Sequence, residues 1–191
     1  MKNAILLGSN SDIGKELAIR LRRDGWSVWG WARGGNLSLY PRWNLIICAI
    51  GTLKPVSRFF DIGFDGWREG FESNVIEPLR LVHGLYSTRE ENAAICFFGG
   101  TNPFKSSPRY TAYSTAKAAL RMATRDIAAE CPELRVFMLD TGVVKTKIHQ
   151  EPVNRDTYTS HDQIYGALTK CLKAPKAMVS GFPFYVPNVC R

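Results

Sequence analysis

Apolar and polar positions along this chain follow two periods, and the switches between them lay out its architecture. Short apolar runs bounded by glycine or polar turns predict strands at 3–7, 27–32, 45–50, 93–98 and 135–139, with a last one near 184–186. Helical spacing predicts a helix over 13–23, with Ile13, Leu17, Ile19 and Leu21 as its apolar positions. A long helix is predicted over 67–85, periodic through Phe71, Val75, Leu79, Leu81 and Val82 and kinked at Pro78. Further helices are predicted over 111–130 and near 163–172.

Strands alternating with helices imply an α/β fold, with a parallel sheet covered on both faces. Ligands bind such sheets beyond the carboxyl ends of the strands, where the connection order switches. Three polar, glycine-bearing turns fall at such ends: 8–14 after the first strand, Gly99-Gly100-Thr101 after the fourth, and 141–146 after the fifth. Between Arg33 and the strand at Leu45 lie only eleven residues, 34–44, in which only 37–40 has room for a short strand.

The length of 191 residues suits a single domain spanning 1–191. A hydrophobic content of 45% and a charged content of 22% are ordinary for a soluble protein, and no apolar run is long enough to cross a membrane. The start of the chain has too short an apolar stretch for a signal peptide, so the expected location is cytoplasmic. Five scattered cysteines, Cys48, Cys96, Cys131, Cys171 and Cys190, suggest neither a disulfide framework nor a metal site. The net charge of +8 is spread along the chain, which argues against a nucleic-acid footprint and leaves room for a phosphate-bearing small ligand.

The turn Gly8-Ser9-Asn10-Ser11-Asp12-Ile13-Gly14 joins an apolar strand to a helix, the setting in which glycines and free helix N–H groups receive a pyrophosphate. Asp12 is placed to cap that helix, and it also brings negative charge near the phosphates. Arg33 ends the second strand, and no Asp or Glu occupies positions 26–60, so NADP(H) is expected over NAD(H). Tyr113 and Lys117 are four apart on a helix and share one face, where the ammonium is expected to lower the phenol's pKa. Asn74 is a mediocre helix former in mid-helix.

Taken in order, the glycine turn, Asn74, Tyr113-Ser114-Thr115-Ala116-Lys117 and Thr141-Gly142-Val143-Val144-Lys145-Thr146 resemble the short-chain dehydrogenase/reductase family over essentially the whole chain. The resemblance implies a Rossmann-like doubly wound sheet, here trimmed between the second strand and the Leu45 strand. It implies that Tyr113 is the acid/base, that Lys117 activates it and holds the nicotinamide ribose, and that Asn74 supports a proton relay. It also implies that Gly142, Val144 and Thr146 hold the cofactor. Cys48-Ala49-Ile50-Gly51 stands where the family often has Asn-Asn-Ala-Gly, so Ala49, Ile50 and Gly51 are expected beside the cofactor.

The chain departs from the pattern at several points. Asp12 replaces a glycine, Thr141 a proline, and no serine follows the 93–98 strand, which leaves Thr101 as the nearest hydroxyl to polarise a carbonyl. The expected activity is NADP(H)-dependent interconversion of a carbonyl and an alcohol by a homodimer or homotetramer, with a small-molecule substrate and neither nucleic acid nor membrane as partner. The loop 147–160, with Ile148, Val153, Arg155 and Tyr158, is expected to cover the substrate. The alternative is a non-catalytic dinucleotide-binding sensor or partner subunit. Epimerases that share the Tyr/Lys pair need a substrate domain for which this chain has no room.

Overall fold

Alternate residues of each strand face opposite sides of the sheet, and this decides the layers. In β1 (Asn3–Leu7), Ala4 and Leu6 join one buried cluster, while Ile5 and Leu7 join the other. The structure, a computed structural model, describes residues 1–31, 34–100, 106–146, 148 and 158–186. The remaining elements are α1 (Asp12–Arg23), β2 (Ser27–Trp31), β3 (Trp43–Cys48), α2 (Phe64–Phe71), α3 (Glu77–Leu85), β4 (Arg89–Phe98), α4 (Thr111–Glu130), β5 (Arg135–Asp140), α5 (His161–Lys173), α6 (Lys176–Val179) and β6 (Pro183–Tyr185).

The strands form one six-stranded sheet in the order β2-β1-β3-β4-β5-β6, and every neighbouring pair is parallel. The chain runs outward from β1 to β2, then crosses back over β1 to β3. The switch point therefore lies between the carboxyl ends of β1 and β3, where a doubly wound sheet offers its crevice. Leu17 and Leu21 of α1 with Ile164 and Leu168 of α5 cover one face, and Leu81 and Leu85 of α3 with Leu120 of α4 cover the other. No described helix is long and apolar enough to cross a membrane.

Three local expectations need correction. The apolar face of α1 is Leu17, Ala18 and Leu21, while Ile19 is 59% exposed, because the face that meets α5 follows the helical period past that residue. The segment around Leu37 is a 3-10 turn, Leu37–Leu39, rather than a strand; Asn36 caps it by accepting from the Ser38 N–H. The long helix predicted over 67–85 is α2 and α3 joined through a π turn at Glu72–Ile76, and Pro78 sits harmlessly in the first turn of α3.

The trimmed segment leaves β2 at the edge of the sheet. Side chains occupy two of its outward carbonyls: Arg22 Nη2 donates to Val28 O at 3.2 Å and Tyr40 Oη to Gly30 O at 3.0 Å. Leu37 packs over Gly84 of α3, where a Cβ would come within 2.7 Å of it. Residues 34–42 thus close the end of the sheet without another strand, and capped carbonyls resist pairing with a further chain.

Candidate active site

A cleft of about 330 Å³ opens at the switch point. One wall is the first turn of α1 with the residues before it, Asn10, Ser11, Asp12 and Ile13. The floor is the chain after β3, Ala49, Ile50 and Gly51, and continues into Thr52 and Leu53, which the sequence reading did not single out. Asn74, Tyr113 and Lys117 come in from the helical side, and Gly142, Val144 and Thr146 from the loop after β5, joined by Ile148. Residues from these five separate stretches of sequence therefore meet in one cleft. Arg33 and Thr101 lie outside the described residues, as do Lys147, Val153 and Arg155 of the loop 147–160 expected to cover the substrate.

Gly8, Ser9 and Gly14 stand behind the cleft and shape it. Gly8 has φ +88°, and a Cβ there would sit 2.5 Å from Ala49 O, so only glycine lets β1 end this close to β3. A Cβ on Gly14 would collide with Gly8 O, which fixes α1 tightly on the turn. Ser9 Oγ donates to Trp31 O at 3.4 Å and ties the turn to β2. The helix cap is Ser11, whose Oγ accepts from Gly14 N–H at 3.0 Å. Asp12, expected as the cap, is instead the first helical residue, because the hydroxyl one position earlier already has the extended backbone a cap requires.

Asn74 is fully buried and acts as a clamp. Its Oδ1 accepts from Thr52 N–H at 3.2 Å, while its Nδ2 donates to Thr52 O at 2.9 Å and to Gly70 O at 2.8 Å. The π turn supplies the geometry: it opens the helix at Glu72–Ile76 and turns Asn74 toward the floor of the cleft. Gly51 allows the approach, since a Cβ there would lie 2.6 Å from Asn74 Oδ1.

Tyr113 and Lys117 do share one face of α4, but their electrostatics differ from expectation. Burial pushes the Tyr113 phenol up to about 12, and the Asp140 carboxylate adds to the rise. Burial also pulls Lys117 down to about 8, against smaller opposing effects of Cys48 and Asp140. Lys117 Nζ donates to Phe98 O at 2.9 Å and lies 5.8 Å from the centre of the Tyr113 ring. The ammonium is held by the strand carbonyl, so desolvation governs the phenol.

This gives a stability prediction with a definite sign. Folding lowers the Lys117 midpoint from its ordinary 10.5 to about 8, so between those values the unfolded chain holds a proton that the folded chain has lost. Stability from this group therefore rises as pH goes from about 8 to 10, by up to about 3 kcal/mol. Denaturant unfolding of the protein against Lys117→Met should show that rise only in the unaltered chain.

Comparison with known proteins gives a consistent picture. The profile of the family described as enoyl-(acyl carrier protein) reductase matches residues 37–172. A curated relative, an uncharacterised oxidoreductase of Schizosaccharomyces pombe, is 24% identical over 152 residues; the match covers 75% of this chain and 61% of the relative. The chain thus spans about three-fifths of that relative's length. Among solved structures, a short-chain dehydrogenase from Shigella flexneri complexed with NADP superposes with TM-score 0.85 at 15% identity, over 97% of each chain. A small-chain dehydrogenase in complex with NADPH gives 0.83 at 16% identity, over 100% of this chain and 99% of that one. A short-chain dehydrogenase family protein from Francisella tularensis gives 0.79 at 18% identity, over 100% of both chains. At these identities the structural likeness speaks for the fold.

Proposed function

Because this chain belongs to the short-chain dehydrogenase/reductase family, we propose that it interconverts a carbonyl and an alcohol on a small molecule, using NADP(H). The observation that carries this reading is the meeting of Tyr113, Lys117 and Asn74 with the glycine turn of β1–α1 in one cleft at the switch point. That turn presents the N-terminus of α1, a position that favours a pyrophosphate, although Asp12 beside it adds an opposing charge. Gly142, Val144 and Thr146 would hold the nicotinamide end from the opposite wall. The preference for the 2′-phosphorylated cofactor rests on Arg33 and on the lack of an acidic residue at 26–60.

A nicotinamide cofactor held there would supply or accept the hydride. Tyr113 gives its phenolic proton to the carbonyl oxygen in reduction and takes one back in oxidation. Lys117 would bind the ribose from its seat at Phe98 O, and Asn74 holds the Thr52 peptide and the π turn beside the proton path. Thr101 would serve as the second donor to the carbonyl oxygen. The proposed partners are a small-molecule substrate and further copies of this chain, and the proposed location is the cytoplasm.

Loss of NADPH absorbance with a panel of aldehydes, ketones and quinones tests the proposal. Turnover of at least one class, abolished in Tyr113→Phe, supports it. Cofactor binding without turnover on any carbonyl would favour the rival reading of a dinucleotide-binding sensor or partner subunit, to which Asp12 in the turn already points.

A further inference from the structure

Directly behind the cleft lies an ion pair that the proposed chemistry does not use. Asp140 ends β5 and is 1% exposed; Arg121 sits on α4 one turn beyond Lys117, and its Nη2 meets Asp140 Oδ2 at 2.6 Å. Apolar side chains of similar volume hold a helix to a strand as well as a buried ion pair does, so the pair is poorly explained by stability alone. Asp140 Oδ1 and Arg121 Nε are buried and have no hydrogen-bond partner among the described residues.

Contacts connect this carboxylate to the reacting groups. Asp140 Oδ1 lies so close to the Gly99 backbone that a Cβ on residue 99 would overlap it. The neighbouring Gly100 lies against the Tyr113 hydroxyl, where a Cβ would come within 3.0 Å, and the preceding Phe98 carbonyl accepts from Lys117. One strip of β4 and the turn after it thus touches Asp140, Tyr113 and Lys117. The charged and titratable groups around it are Tyr113, Lys117 and Arg121 from α4, Cys48 from β3 and Asp140 from β5.

We propose that Asp140, locked by Arg121, is a positioning residue that sets this site for proton donation, and hence for carbonyl reduction rather than alcohol oxidation. The inference rests on the dehydrogenase/reductase reading above. Asp140 lies between Arg121 and the Gly99 backbone, and its carboxylate favours the ammonium of Lys117 and the protonated form of Tyr113; burial raises the carboxyl's own pKa, and Arg121 opposes that rise and keeps it charged. Those are the forms needed to give a proton to a carbonyl oxygen. Alcohol oxidation needs the phenolate, which the same charge disfavours.

The test compares the full chain with Asp140→Asn and with the double variant Asp140→Asn/Arg121→Gln, which removes both charges and so keeps the fold free of an unpaired one. NMR of lysine labelled with ¹³C at the ε-carbon follows the titration of Lys117 without cofactor, its signal being assigned by its absence in Lys117→Met. The Lys117 midpoint should fall in the double variant by about half a unit to one unit. The alkaline limit of NADPH-dependent reduction should move down with it, and the ratio of the oxidation rate to the reduction rate, each at saturating substrates and neutral pH, should rise severalfold. A folded double variant with an unmoved Lys117 midpoint overturns the proposal, even if its melting temperature changes. Failure of the underlying reading looks different: the unaltered chain would then not bind NADPH, although the Lys117 midpoint still moved.

Discussion

Tyr113→Phe is expected to lower the carbonyl reduction rate by about 10²–10⁴-fold while leaving NADPH affinity and melting temperature nearly unchanged. The substitution removes one hydroxyl and keeps the ring, which packs in the same place on α4. The chemistry leaves little to replace it: Lys117 Nζ is committed to Phe98 O, and Asn74 spends its amide on Thr52 and Gly70. The phenol also starts in the right form. With its pKa raised to about 12 it carries its proton throughout the neutral range, so reduction needs no prior protonation. Steady-state rates at saturating NADPH, with the affinity measured separately, check the prediction. Unchanged turnover in the variant would remove Tyr113 from the mechanism.

The second large effect is expected at the strand-helix turn. Gly8→Ala should cost about 2–5 kcal/mol of stability, the sum of a positive φ imposed on a side chain and a collision with the backbone of Ala49. Against a total of roughly 5–15 kcal/mol this lowers the melting temperature by on the order of 10 °C. Gly14→Ala collides with Gly8 O, again backbone, and displaces the start of α1. Any relief moves the wall formed by Asn10–Ile13, so NADPH affinity should fall at least about tenfold in whatever fraction stays folded. By contrast, Gly25→Ala meets nothing within 4 Å and bears only the strain of its φ of +84°. It should leave affinity unchanged, which separates the cleft from general backbone strain. Thermal unfolding and cofactor titration of the three variants check this.

Much of the fold was legible because its signals are local. The apolar runs gave β1, β3, β4 and β5, and Asn10–Ile13 of the glycine turn, Asn74 and the Tyr113/Lys117 pair line one cleft, with Gly8, Ser9 and Gly14 behind it. What escaped depends on tertiary packing. The π turn is invisible to periodicity, since Phe71 before it and Val75 within it keep a helical spacing. Asp140 directly follows the apolar run at 135–139, and its partner lies 19 residues away in sequence, on α4. A signal was available in Tyr113, Lys117 and Arg121, which recur every four residues and so place two cations on one helix face. The 3-10 turn at Leu37–Leu39 went unseen because its reason, the seat that Gly84 offers Leu37, lies on α3.

The most direct test of the central claim is titration of the pure protein with NADPH and with NADH, following the quenching of its five tryptophans and confirmed by calorimetry. The account predicts micromolar affinity for NADPH and clearly weaker binding of NADH. Equal affinities would remove the role given to Arg33, and binding of neither would contradict the dehydrogenase/reductase reading itself.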